Sequence, residues 1–461
     1  MNRTVRMLRN GFALLLMLAL AASAAWLIAQ SRPRPPQTAG SPLPTPTPVR
    51  STTPSRAPSS TPRQPGPPAS PTPAATRVGQ RVPSCTFPGG TSPERGGPRL
   101  EKHDFSEPQV MLTSTIGIEI ADWLPDNTRL LVTRVDPQSG LERIETLDVR
   151  TGEVQLYARP NSHNGKPVWL SAIQGVAYSD ALYTERGRQF ELRISRGQPT
   201  ETETIVTSEG NNVALGFSLA VEPGGRHLLY LVDRAVGRLQ NWDSVARTNQ
   251  AMPFDVGEWL PPLDLSQPNA QYFVTPIWSP NGTRLAVFAE SSLFLVEPGS
   301  NRVCEVGRGR SWFVMPYASQ WSPNARYLAL ITTDQVPETL TTWTDLAVLD
   351  VLTGELRKLS LPNARGSITT IAWSTNSQHL AVLTLITPQA AQARLFLVDV
   401  GTGDVRPMWP DRTFGGGAPW GKQMSWARNG RSLALECPAL RDASGMIVQS
   451  GVCLVTTGTR P

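Results

Sequence analysis

The pentapeptide WSPNG at 278–282, followed by the apolar segment RLAVFAE, recurs along most of the chain. Copies stand at Trp123 (WLPDN), Trp321 (WSPNA), Trp373 (WSTNS) and Trp426 (WARNG), leading into TRLLVTRV, RYLALITT, QHLAVLTL and RSLALECP. Weaker copies stand at Val221 (VEPGG, then RHLLYLVD) and at Trp169, which precedes VAYSD by the offset that separates Trp278 from Leu285. The seven anchors are 43 to 57 residues apart. A period of this size means a stacked or circular array of one supersecondary unit.

The interior of the unit says what that unit is. A strand ending at the Trp, a turn of Pro with Asn or Asp and Gly, and a second apolar strand make a tight hairpin. Most units then carry a second hairpin about a Thr-Gly turn: TLDVRTGEVQLY from Thr146, VLDVLTGELRKL from Val348 and LVDVGTGDVRPM from Leu397. Two hairpins make four antiparallel strands, which is a propeller blade. No repeat segment has sustained helical periodicity, so a helical solenoid loses to a propeller. The predicted fold is all-β, a seven-bladed β-propeller of four-stranded antiparallel blades. The last unit stops after GVCLVTTGTRP, where its fourth strand should begin, and the strand QVMLTS (109–114) has no hairpin of its own. That strand is expected to supply the outer strand of the last blade and so close the ring, which otherwise exposes an edge. The repeat tryptophans Trp123, Trp169, Trp278, Trp321, Trp373 and Trp426 are expected in the core.

The first ten residues hold three arginines and no acid, and precede a nineteen-residue apolar run from Gly11 to Ala29. That run is longer than a usual signal-peptide core and just long enough to span a bilayer, with the arginines on the cytoplasmic side. Small residues at Ala22, Ser23 and Ala24 leave a cleaved signal peptide open as well; both place the propeller outside the cytoplasm, single-pass anchored or secreted. Residues 32–83 hold 16 prolines among Ser, Thr, Ala and Gly. Such a tract builds no core, and as polyproline II at ~3.1 Å per residue it reaches about 150 Å. The expected organisation is therefore a signal anchor or signal peptide over 1–30, a disordered linker over 31–83 and the propeller over 84–461.

The net charge of +6 hides an asymmetry. Residues 1–83 carry ten arginines and no acid, leaving the remainder at −4. A mildly acidic domain lacks the basic face on which nucleic-acid binding rests. Four cysteines in an exported chain favour disulfides. Cys437 and Cys453 fall on neighbouring strands of the last blade, where a bridge contributes about 3 kcal/mol. By elimination, Cys85 pairs with Cys304.

Signals of catalysis are thin. The segment 216–220 (GFSLA) has the outline of a nucleophile elbow, but it lies between propeller strands with no helix behind it. His103, His163, His227 and His379 are scattered and match no metal-ligand spacing. His227 and His379 begin repeat strands and read as surface or turn residues, while Asp350 and Asp399 read as turn caps. No cofactor and no metal are expected. Aromatic residues beside glycines mark the loops between blades: Trp312, Phe313 and Tyr317; Phe414 and Trp420; Tyr272 and Phe273. Exposed, such a cluster makes an adaptable binding surface; packed between blades, the same rings are core.

The W-S-P-(N/D)-G turn, the apolar strand after it, and the (L/V)-x-D strand with its T-G turn resemble the repeat of TolB-like, WD-type β-propellers over roughly residues 105–461. The chain departs in carrying Asn281, Asn324, Asn376 and Asn429 where the family usually has Asp. The resemblance implies envelope proteins that bind protein or glycan partners, propeller domains attached to serine peptidases, and a few lyases. The expected function is a non-catalytic, membrane-tethered, monomeric propeller that binds an envelope protein or polysaccharide. The alternative is an enzyme at the propeller mouth, such as a polysaccharide lyase or hydrolase, which requires charged side chains from several blades to converge there. A sensory ectodomain is a third reading, weakened by the short segment of about ten residues before the apolar run.

Overall fold

The computed structural model describes Gln80–Arg81, Phe87, Leu100, residues 103–114 and most of 117–459. Outside the description lie 1–79, 82–86, 88–99, 101–102, 115–116, 460–461, the single positions 137, 291 and 360, and the loops 162–165, 185–186, 210–218, 234–236, 263–271, 309–312, 315–318, 334–344, 362–367, 387–391, 416–423, 438–439 and 442–446. The expected anchor helix falls among them, as does the expected linker except for Gln80–Arg81, which form a short strand instead of disordered chain because they pair with a blade edge. No helix among the described residues is long and apolar enough to cross a membrane.

The described strands form seven sheets, one per repeat. Blade 1 shows the plan, with Ile118–Trp123, Arg129–Val135, Glu142–Asp148 and Val154–Ala158 hydrogen-bonded antiparallel in that order. In every blade the anchor residue faces the residue seven positions later: Trp123 faces Leu130, Trp169 Val176, Val221 Leu228, Trp278 Leu285, Trp321 Leu328, Trp373 Leu380 and Trp426 Leu433. The degraded copies at Trp169 and Val221 thus keep the register of the clear ones. Register fixes which face of a strand is buried, and one apolar cluster accordingly fills each of the seven blade interfaces.

The turn residues act through hydrogen bonds that need an acceptor and no charge. Asn281 Oδ1 accepts the Thr283 amide at 3.2 Å and the Ser279 hydroxyl at 2.8 Å, while Ser279 Oγ accepts the Arg284 amide at 2.9 Å. Ser322 with Asn324 and Ser374 with Asn376 repeat the arrangement. In blade 1 the carboxylate of Asp126 takes the same role toward the Thr128 and Arg129 amides. Asn and Asp are interchangeable here because both offer an oxygen two residues before the amide they cap.

The tryptophans tie neighbouring blades together. The indole N–H of Trp321 donates to Ile277 O at 3.1 Å, and that of Trp373 to Gln320 O at 3.0 Å; each acceptor immediately precedes the anchor Trp of the previous blade. Trp123 does the same to Ser425 O at 2.9 Å, across the seam where blade 1 meets blade 7. Trp426 instead donates within its own turn, to Gly430 O at 3.3 Å. Trp123, Trp321, Trp373 and Trp426 are buried, whereas Trp169 and Trp278 are only partly so. Trp123→Phe is expected to cost about 1 to 2 kcal/mol through the lost seam bond and the orphaned Ser425 carbonyl. Trp426→Phe should cost less, and urea unfolding of the two variants checks the order.

Blade 7 takes three strands from the end of the chain, Met424–Trp426, Ser432–Glu436 and Ile447–Thr459. Gln109–Ser114 lies antiparallel on the outside of the last of these, with Gln109 opposite Leu454 and Ser114 opposite Ser450, and His103–Phe105 continues the pairing to Thr459. Gly451 permits this approach, since a Cβ there would lie 2.6 Å from Leu112 O. Cys437 and Cys453 form a disulfide across 16 residues, with Cα atoms 5.0 Å apart. Cys304 is also disulfide-bonded; Cys85 lies outside the described residues.

The segment before the closing strand touches blade after blade. Gln80–Arg81 pairs in parallel with the outer strand of blade 4 at Arg302 and Val303. Phe87 is buried between blades 4 and 5, where its amide donates to Val351 O at 2.7 Å. The guanidinium carbons of Arg302 and Arg284 lie 4.7 and 5.6 Å from its ring centre. Leu100 is buried between blades 6 and 7. These anchors form a strap over blades 4 to 7 that ends as the outer strand of blade 7.

Candidate functional site

In a four-stranded antiparallel blade, the first and third hairpins turn on one face of the ring, and the second hairpin and the link to the next blade turn on the other. The WSPNG and Thr-Gly turns therefore share one face, and the aromatic-bearing links lie on the opposite one, called here the loop face. Phe414 pairs with Ala393 of blade 6, and its ring is buried between blades 6 and 7 beside Trp409 at 5.8 Å. Tyr272 is buried between blades 3 and 4, with its hydroxyl donating to Pro261 O at 2.7 Å. Phe273, the next residue, points the other way and is 56% exposed. Phe313 lies in a two-residue strand pairing with Thr333, its side chain outside the description, as are Trp312, Tyr317 and Trp420. The structure thus takes two of the expected rings into the core and presents one to solvent.

Phe273 is held from both sides of its peptide unit. Its amide donates to Glu290 Oε1 at 2.8 Å, and its carbonyl accepts the Glu290 amide at 3.2 Å. With Tyr272 anchored in the core immediately before it, the exposed ring sits on a fixed backbone. A rigid aromatic contributes contact area at small entropic cost.

One carboxyl that nothing in the sequence marks lies on the same face. Glu436 ends the second strand of blade 7, is 6% exposed, and is pushed up to about 7 by burial, assisted by the charge of Glu119 in the first strand of blade 1. The backbone of Gly415, in the link from blade 6, packs on it so closely that a Cβ would lie 2.5 Å from Glu436 Cδ. A carboxyl poised near neutrality can exchange a proton at physiological pH. Two buried carboxylates of blades 1 and 2 are already paired. Glu145 is fully buried between Arg134 and Arg143 at 2.6 and 2.7 Å, and fully buried Asp180 meets Arg193 at 2.9 Å and the Asn161 amide at 2.8 Å. Among the described residues, no group of three or more His, Cys, Asp or Glu is placed to hold a metal ion.

One histidine departs from the expectation. His379 is no surface or turn residue: it is fully buried and faces His103 from 276 residues away, Nδ1 to Nε2 3.1 Å. The opening residue of its strand points inward because Ser374 and Asn376 cap the turn before it and set that register. His227 stays partly exposed, 4.0 Å from Glu222, and His163 lies outside the described residues. Asp399 caps its turn through the Thr402 amide at 2.9 Å and also reaches His379 Nε2 at 3.4 Å. Asp350 caps the Leu352 amide and pairs with Arg326 at 2.7 Å. Of the 216–220 segment only Leu219 and Ala220 are described, and Ala220 opens the first strand of blade 3.

No protein-family model matches the chain, and no curated protein matches it in sequence. Solved structures with the same fold include an oligogalacturonate lyase in complex with manganese, at 11% identity and a TM-score of 0.50 over 77% of this chain and 98% of that one. The oligogalacturonate lyase of Vibrio parahaemolyticus is similar at the same identity, score and coverage. A prolyl endopeptidase is similar at 11% identity and a TM-score of 0.44, over 80% of this chain and 48% of that one. At 11% identity the likeness to the two lyases shows the propeller fold alone.

Proposed function

We propose that this protein is a non-catalytic, membrane-tethered β-propeller that binds a protein or polysaccharide of the cell envelope through its loop face. The observation that carries the reading is Phe273, an exposed ring on a doubly hydrogen-bonded backbone. The arginine-flanked apolar run and the proline-rich tract support a tether that holds the propeller away from the membrane, and the resemblance of the repeat to TolB-like propellers supports an envelope setting. Buried carboxylates in blades 1 and 2 that are saturated by arginine support a scaffold use for those charges.

A second reading rests on Glu436. Its raised pKa and its place where blades 6, 7 and 1 meet suit a general acid or base, as in a propeller-mouth polysaccharide lyase or hydrolase. One experiment separates the two. Detergent-solubilised full-length protein mixed with a detergent-washed, membrane-free envelope fraction should sediment with it and leave its polysaccharide unshortened, with protease treatment of the fraction distinguishing a protein partner from a polymer. New unsaturated or reducing ends that disappear with Glu436→Gln would replace the first reading by the second. Protein that stays in the supernatant overturns the binding reading.

A further inference from the structure

The strap that ends as the outer strand of blade 7 is fastened to blade 6 by an unusual contact. His103 Nε2 and His379 Nδ1 lie 3.1 Å apart, with the ring planes 76° to each other. Imidazoles bond this way only when one nitrogen carries a proton and the other does not. Asp399 stands 3.4 Å from the far nitrogen of His379. Arg406 donates to His103 O at 2.9 Å and to Leu100 O at 3.2 Å, which places a permanent cation beside the pair. His103 is 7% exposed and His379 fully buried, so neither ring is well solvated.

We propose that the His103–His379 contact is an acid-opened clasp, which locks the strap onto blade 6 at neutral pH and, on double protonation, frees His103–Phe105 and Gln109–Ser114 from blade 7. With both rings protonated, N–H points at N–H, and two cations plus Arg406 face one carboxylate, Asp399. The other groups near His103 offer no relief: the residues opposite it on the last strand, Thr457 to Thr459, are uncharged, and on its own segment Glu107 is engaged by Arg412, while the Asp104 carboxylate accepts the Phe105 amide. The direction of the titration agrees. Burial, with His379 and Arg406, lowers His103 to about 4, and burial lowers His379 as well. The neutral pair's contribution is therefore complete above the ordinary histidine value and is lost as pH falls from about 6.5 toward 4. Such a clasp would let acid open the closing strand of blade 7 without dismantling the other blades, while Gln80–Arg81 and Phe87 keep the start of the strap on blades 4 and 5.

Amide hydrogen exchange of the full chain, expressed as protection factors to remove its intrinsic pH dependence, tests this. Between pH 7 and 4.5 the wild-type segment 103–114 should lose tenfold or more of its protection, while Gly187–Ser195 in blade 2 stays unchanged. His103→Phe keeps a ring in place but removes one of the two protons, so its loss at 109–114 should be several-fold smaller than that of the wild type; His379→Gln, which keeps a donor for Asp399, serves if the first variant does not fold. Wild-type protection that is constant with pH, or an equal loss in the two variants, overturns the clasp. Glu436 cannot mimic the effect, because its raised pKa favours the folded chain at low pH.

Discussion

A chain that begins at residue 115 is expected to melt at least roughly 10 °C below the full-length protein. The deletion bares the edge of Ile447–Thr459, thirteen residues long, which pairs with Gln109–Ser114 and His103–Phe105. It also empties two buried seats. Without Phe87 the Arg284 guanidinium, 2% exposed, loses both the ring beneath it and the Phe87 carbonyl that it donates to at 3.2 Å. Removing a buried phenylalanine alone costs about 3 to 5 kcal/mol, and Leu100 adds to that, against a margin of roughly 5 to 15 kcal/mol for a typical domain. A chain beginning at residue 79 keeps every one of these contacts and should melt with the full-length protein. Calorimetry of both truncations decides it, and equal midpoints would show that the strap is ornamental to the ring.

Glu436→Gln should stabilise the protein by about 2 to 3 kcal/mol at pH 8 and leave it unchanged at pH 4. Glutamine keeps the shape and removes the ionisation. Below pH 4.5 the wild-type carboxyl is protonated in the folded and unfolded chains alike, so the substitution removes nothing. As pH rises from 4.5 to about 7 the folded chain holds a proton that the unfolded chain has released, and stability falls; above 7 the full cost of a buried carboxylate beside Glu119 is present. Urea midpoints of both proteins at the two pH values measure the difference. A variant that is equally stable at pH 8 would mean that Glu436 is better solvated than its 6% exposure implies.

The ring was legible in the sequence because its determinants are local. Asn281 caps an amide two residues away and Trp278 pairs seven residues on, so each repeat writes its own register. What lay beyond a single unit was harder to read. His103 and His379 meet only because the strap crosses from blade to blade, and nothing near either residue marks the contact. Phe87 and Leu100 sit in TFPGG and GPRL, segments whose glycine and proline resemble the end of a linker. Glu436 reads as one polar residue at the end of an apolar strand, and its raised pKa depends on Gly415 and Glu119, which belong to other blades. The aromatic links show the same division. Tyr272 and Phe273 are adjacent and equally plausible as core or surface, and only strand direction assigned one to the interior.

The central claim is that recognition belongs to the loop face and not to the face that carries the repeat motif. Phe273 and Val245 provide a matched pair, being 56% and 57% exposed, the second in the turn between the third and fourth strands of blade 3 and so on the motif-bearing face. Cosedimentation of detergent-solubilised full-length wild type, Phe273→Ala and Val245→Ala with the membrane-free envelope fraction measures the difference. The expected result is retention reduced roughly tenfold by Phe273→Ala and unchanged by Val245→Ala; equal retention of all three, or a loss confined to Val245→Ala, would contradict it.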